Sequence, residues 1–279
     1  MESNGFVRHD KEKKLLQGLL LPGLILFLTS FFACSAHAQT PNGAIPEAPQ
    51  PQNLPQLHDP SADPVTVRST PKRILEDQAA IWTSPARLND GNAVGPALLV
   101  LATAGLITTD HDVMSKHFLD TSLNNHAITA SNGLLGGFVA APVIIYGVGH
   151  IHQDDHATET GILGGEAMVD SLAVDEVLKL VSLRERPQLD GARGKFFQTS
   201  VGTNSSFPST HCMVAWSSAA VIASEYNGPL TKLAAYGLAT GVSVTRVVGR
   251  QHFPSDVLVG SAVGWMIGRY VEHHHRRAD

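Results

Sequence analysis

The sequence predicts an all-α protein. Three observations carry that expectation: long apolar stretches whose periodicity is helical, glycine and alanine spread through those stretches as in closely packed helices, and no run of alternating apolar and polar residues of the kind a half-buried strand requires. The chain has 279 residues, of which 43% are hydrophobic and only 16% charged. That length supports a sizeable core, and so low a charge content suits a helical protein with much buried surface or one that touches a membrane. The formal net charge is −5, so no global basic field attracts nucleic acid. Of the two cysteines, Cys34 lies in a segment expected to be removed. Cys212 then stands alone, which excludes an internal disulfide and argues against a cysteine-based metal site.

Taken in order, residues 1–38 read as an export signal. Lys11, Lys13 and Lys14 form a basic start, Leu15 to Phe32 an apolar run, and Ala36-His37-Ala38 a small-x-small cleavage site. A retained membrane anchor is the alternative, since the run is long enough. The segment is net +1, so its removal leaves −6. Residues 39–72 are punctuated by Pro41, Pro46, Pro49, Pro51, Pro55, Pro60, Pro64 and Pro71 and hold few large apolar residues; they read as an extended, unfolded tether. The helical domain is expected over 73–279.

Within it, Ile74, Ala79, Ile81 and Trp82 suggest a short amphipathic helix stopped by Ser84-Pro85. Pro96 to Ile107 reads as a compact apolar helix, too short to span a bilayer. Asp110-His111-Asp112 is read as a solvated turn, and His150, His152, Asp154, Asp155 and His156 as a polar loop rather than a metal site. Further helices are expected over 157–183, 212–225, 230–248 and 254–271. His273, His274, His275, Arg276 and Arg277 read as a solvated helix end.

Three stretches carry chemistry. In the first, Lys179 and Arg186 are seven residues apart, two helical turns, so both are expected on one face where a helix stops at Pro187. Two converging cations suit a phosphate. In the second, Ser206-Phe207-Pro208-Ser209-Thr210-His211 leads into a helix; Ser209 is expected to cap it, the free N–H groups to cradle oxyanions, and His211 to deliver a proton. In the third, Arg246 precedes His252 and Asp256, with Pro254 placed for the first turn of a helix. Asp256 is expected to hydrogen-bond one ring nitrogen of His252 and leave the other as a nucleophile. Each stretch alone is also what plain capping and salt-bridge clusters look like.

Together the pattern Lys179, six residues, Arg186-Pro187; Pro208-Ser209-Thr210-His211; Thr245-Arg246, five residues, His252, three residues, Asp256 resembles the type-2 phosphatidic acid phosphatase family, in the manner of a secreted bacterial member. That family shares its fold with the vanadium-dependent haloperoxidases. The resemblance covers about residues 155–271 and implies a helical bundle of that type. It also implies a metal-independent phosphatase with no cofactor, acting on a phosphomonoester or pyrophosphate, lipid or soluble, through a phosphohistidine. By resemblance His252 is the nucleophile, Asp256 its partner and His211 the general acid and base. Lys179, Arg186, Ser209, Thr210 and Arg246 hold the phosphate. Thr245 stands where the family has Ser, and Thr210 where it has Gly, which is expected to alter pocket size or substrate preference. A haloperoxidase and a non-catalytic phosphate-binding protein are the alternatives. A serine hydrolase fits poorly, since no Gly-x-Ser-x-Gly elbow occurs and the cations would have no task. A soluble or membrane-surface domain is expected, partnered by its phosphate ester and not by nucleic acid; the oligomeric state is open.

Overall fold

The computed structural model describes residues 65–89 and 93–275. The expected export signal, and the tether as far as residue 64, lie outside the described residues. Among them there are seven α-helices and no strand: α1 (Thr70–Thr83), α2 (Val94–Lys116), α3 (Thr121–His152), α4 (Asp155–Ser182), α5 (Thr210–Glu225), α6 (Pro229–Val248) and α7 (Pro254–His275). The fold is all-α.

Residues 65–72, expected in the tether, are folded. Val65 is buried in the core, and Thr66 and Ser69 exchange hydrogen bonds that lead into α1. The face of α1 that is buried is also not the apolar one. Arg73 and Asp77 are its buried residues, whereas Leu75 and Trp82 are exposed. A helix that buries its charges must meet partners for them, and those come from α4 and α7.

The centre of the bundle is α5, all but enclosed and rich in small residues: Ala215, Ala219, Ala220 and Ala223 have no exposed surface. It packs most extensively against α7, and Gly260, Gly264 and Gly268 explain how closely. A side chain at any of the three would collide with α5, at the carbonyls of Ser209, Met213 and Ser217 respectively. Leu163, Ala167 and Val174 of α4 close the core against Met213, Val221, Ile267 and Val271. Burying aliphatic side chains of this size stabilises by roughly 1.5–3 kcal/mol each.

Two expectations about α2 are corrected. It runs well past Ile107, because Asp110 to Lys116 continue the helix instead of forming a turn. It and α3 are long and apolar enough to cross a membrane, by length and composition. Leu98, Leu101 and Ile107 of α2, and Val143, Ile144 and Ile151 of α3, face outward. The histidine-rich segment between α3 and α4 is a tight junction and not a loop. His150 and His152 lie in the last turn of α3, Gln153 is left-handed at φ 57, and the Asp154 carboxylate caps α4 by accepting from the Ala157 N–H at 3.1 Å.

Candidate active site

Helix α4 delivers Lys179 from its last turn and ends at Leu183, whose φ of +42° breaks the helix. Arg186 therefore does not share a helix face with Lys179, as the seven-residue spacing suggested; it is carried on the extended segment that follows. That segment is anchored by Arg184. Its guanidinium donates to Asp110 Oδ2 at 2.8 Å, to Ser255 Oγ at 2.7 Å and to Asp256 Oδ1 at 2.5 Å, and lies 4.1 Å from the ring centroid of Phe253. Asp110, expected in a solvated turn, is thus a buried strut from α2 to the starts of both site segments. Neither Asp110 nor Arg184 could be identified from spacing, because their charged partners are more than 70 residues away.

The segment between α6 and α7 presents the candidate nucleophile. The Arg246 carbonyl accepts from the N–H of both Gln251 (3.1 Å) and His252 (3.4 Å), which curls the chain back over the end of α6. Asp256, at the third position of α7, accepts the Phe253 N–H at 2.8 Å, the reach-back half of a capping box. It also accepts from Ser206 Oγ at 2.5 Å. With Arg184 added, its oxygens are taken, and the expected bond to His252 is not made. Nδ1 of His252 lies 3.8 Å from Asp256 Oδ2 and 2.7 Å from the Ser206 carbonyl oxygen. A carbonyl can only accept, so Nδ1 bears the hydrogen. Burial, then Arg186 and Arg246, push the ring's pKa well below its ordinary value. The imidazole is accordingly neutral, with an unprotonated Nε2.

Helix α5 opens at Thr210. Ser209 occupies the N-cap position, but its side chain makes no capping bond, contrary to expectation; it is fully buried beside the Cys212 thiol. Thr210 Oγ1 donates to Asp175 Oδ2 at 2.7 Å and accepts from Lys179 Nζ. Lys179 Nζ also pairs with Asp175 Oδ2 at 2.9 Å. Asp175, one turn before Lys179 on α4, was not singled out from the sequence, although the i, i+4 spacing carries the signal. His211 Nε2 lies 3.0 Å from Asn132 Oδ1 of α3. Burial, then Arg246, His252, Arg186 and Lys179 in that order, push the His211 pKa down to about 3. Thr245 directs its hydroxyl to the Gly241 and Val242 carbonyls of its own helix, away from the site.

These segments meet at a cavity of about 420 Å³. Arg186, Thr210, His211, Arg246 and His252 form its polar wall; Leu135, Val139, Met168, Val169, Leu172 and Val214 form the apolar one. Lys179, Ser209 and Asp256 stand behind that wall. Arg246 Nη1 donates to Ser131 Oγ at 3.3 Å, while its buried Nε has no partner. Burial lowers its pKa to about 10, which leaves it charged at neutral pH. Arg186 Nη1 donates to the Gln251 carbonyl at 3.1 Å and Nε to Asn204 Oδ1 at 2.9 Å. The arrangement can bind an oxyanion against two guanidinium groups while a bare imidazole nitrogen shares its space.

One group of side chains among the described residues lies close enough together to share a metal ion: Asp77, Glu166 and His275, with ligand atoms within 4.8 Å of one another. It does not line this cavity, and Arg73 already holds both Glu166 oxygens, at 3.0 Å through Nε. His275 Nε2 lies 2.8 Å from Asp77 Oδ1. The C-terminal histidines are therefore not all a solvated end.

Residues 162–278 match the family model of the PAP2 superfamily. The lipid A 1-phosphatase of Porphyromonas gingivalis is 37% identical to this chain over 65 residues, which are 23% of this chain and 15% of that protein. No solved structure gives a significant match. The matched segment contains every residue singled out for the phosphate and the nucleophile, and the similarity supports a phosphatase.

Proposed function

We propose that the protein hydrolyses phosphate esters by way of a phosphohistidine on His252. The observation that supports this most is the shared cavity: the bare Nε2 of neutral His252, the Arg186 and Arg246 guanidinium groups and His211 all open onto one space. Nε2 attacks phosphorus and forms the N–P bond; the ester P–O bond breaks, and the leaving oxygen takes a proton from His211. In the second step His211 takes a proton from water, the water oxygen bonds phosphorus, and the N–P bond breaks. Arg186, Arg246 and the Thr210 N–H hold the non-bridging oxygens, whose charge persists through the transition state. Lys179 stands behind Thr210, paired with Asp175. Asp256 acts through Ser206: it accepts the Ser206 hydroxyl while the Ser206 carbonyl holds the His252 ring. His211 is neutral in the empty site, because burial and then the surrounding cations disfavour its proton. A bound phosphate dianion offsets those cations and permits His211 to acquire the proton it later donates.

The substrate class we infer is a phosphate on a lipid. The apolar cavity wall suits an acyl chain, and the outward apolar faces of α2 and α3 suit a membrane environment. The name of the Porphyromonas relative agrees with that class. With residues 1–38 acting as an export signal, the reaction takes place outside the cytoplasm.

The test is hydrolysis by the purified protein in detergent, without added metal, of a short-chain phosphatidic acid beside p-nitrophenyl phosphate. Lipid turnover that resists EDTA and disappears in His252→Ala, with inorganic phosphate still bound, supports the reading. A fully active His252→Ala overturns it. Preference for the soluble ester would replace the lipid by a small substrate.

A further inference from the structure

Thr210 is the residue at which this chain departs most from the pattern it resembles, and its hydroxyl is fully engaged. It donates to Asp175 Oδ2 at 2.7 Å and accepts from Lys179 Nζ. The Lys179 ammonium pairs with the same Asp175 oxygen at 2.9 Å, and the two side chains are 7% and 0% exposed. Three groups from two helices thus close on one another. Their charges cancel, and Lys179 spends at least two of its three N–H donors on Asp175 and Thr210. The position of Thr210 matters as much as its bonds. It lines the cavity, while Lys179 and Asp175 do not. The contrast with Arg246, whose buried Nε is unpartnered and whose side chain reaches the cavity, is direct.

We propose that Thr210, with Asp175, is a specificity-determining positioning residue that withholds Lys179 from the bound phosphoryl group, so that the cradle grips phosphate with two cations in place of three. The inference deepens the proposed function and rests on it. Two arginines match the charge of a phosphate dianion; a third free cation would hold inorganic phosphate, the product, more tightly. Thr210 therefore sets a weaker grip on the product. The branched side chain fills the gap through which Lys179 would reach the cavity, and its hydroxyl gives the ammonium an alternative partner. Substituting glycine removes both. Lys179 then gains a charge-assisted hydrogen bond to phosphate, an effect of roughly tenfold or more in affinity.

The test is the dissociation constant of inorganic phosphate, measured by calorimetry on the purified full chain in detergent. Thr210→Gly is expected to bind about tenfold more tightly, and Thr210→Ala, which keeps better helix propensity at this first position of α5, to bind more tightly by a smaller factor. Thr210→Ser, which keeps the hydroxyl and both of its bonds, is expected to stay within about twofold of wild type. The paired substitution Lys179→Met with Asp175→Asn removes both charges together, so no buried charge is stranded, and is expected to leave phosphate affinity within about threefold of wild type. Equal affinity in wild type, Thr210→Gly and Thr210→Ala would overturn the proposal, as would a loss of about a hundredfold in the paired variant, since Lys179 would then grip phosphate directly. Arg246→Ala separates this from the function itself. Phosphate binding that is lost in Arg246→Ala establishes the cradle whatever Thr210 does, and no binding in wild type or Thr210→Gly would overturn the cradle and the Thr210 proposal together.

Discussion

Two of the charged groups in this bundle, both built around arginine and histidine, are resolved in opposite ways. Arg73, Asp77, Glu166 and His275 join α1, α4 and α7; all are buried, and each finds a partner within the group, with Arg73 held by Glu166 and His275 by Asp77. Arg186, Arg246, His211 and His252 meet at the cavity with cations in excess and with donors left over, the Arg246 Nε among them. Buried polar groups ordinarily find partners. A cluster that is closed needs nothing more from its surroundings, whereas one that keeps unpaired cations facing an open cavity is arranged for an anion that arrives from outside. The contrast supports the cavity as the proposed anion site without reference to any relative.

The largest expected effect breaks the comparison from the closed side. Arg73→Met strands the Glu166 carboxylate in the interior and should cost roughly 3–5 kcal/mol of stability, read from denaturant unfolding. Inorganic phosphate affinity of the folded fraction should not change. Arg246→Ala should do the reverse: phosphate affinity falls about a hundredfold, by loss of a charged donor pair, and stability is unchanged or higher because a buried, underpaired cation has gone. Equal destabilisation by the two variants would show that the cavity cations are structural after all.

How far the two clusters were legible in the sequence follows from where their partners lie. His252, Asp256, Arg246, His211 and Lys179 stand in short stretches with local spacing, so roles for them could be expected from the sequence alone. The fold adds that Arg246, His211 and His252 line one cavity, with Lys179 and Asp256 behind its wall. The all-α class was equally legible, from helical periodicity and the helix stops near Ser84-Pro85 and Pro187. Bonds within those stretches were harder. Asp256 was expected on His252, but the same carboxylate is also at the third position of α7, where the Phe253 N–H and Ser206 claim it. Arg184 and Asp110 were invisible because the side chains that theirs bond lie 71 to 145 residues away. The closed cluster was invisible for the same reason: His275 meets Asp77 across 198 residues, and nothing near either one hints at the other. The apolar stripe of α1 pointed away from the truth, since the helix buries Arg73 and Asp77.

A second prediction sharpens the open side. His211 should be neutral in the empty protein down to a pKa of about 3. If the surrounding cations are what hold it there after burial, an anion among them must raise it. Saturating inorganic phosphate should move the His211 titration, followed by NMR of labelled histidine, upward by at least about one pH unit, equivalent to roughly 1.4 kcal/mol of favourable coupling. By linkage, phosphate affinity should then strengthen as pH falls towards the raised value. An unmoved His211 would mean that phosphate does not enter among these cations.

The smallest effect lies at the margin of the closed cluster. Asp170, one turn after Glu166 on α4, is buried with Oδ2 unpartnered, and only Gln78 Nε2 serves Oδ1, at 2.8 Å. Burial raises its pKa to about 7, with Asp77 and Glu166 adding to the shift against the pull of Gln78 and His275. The folded protein therefore binds this proton more tightly than the unfolded chain does. Between the ordinary carboxylate value near 3.8 and about 7, stability falls as pH rises, and above about 7 the whole penalty is present. Asp170→Asn has no proton to lose. At pH 8 it should be more stable than wild type by roughly 1 kcal/mol or more, and at pH 4 the advantage should vanish, since the wild-type carboxyl is then protonated in the folded state. The slope of unfolding free energy against pH between those values is the measurement. A slope unchanged by the substitution would place Asp170 among the satisfied charges and extend the closed cluster by one residue.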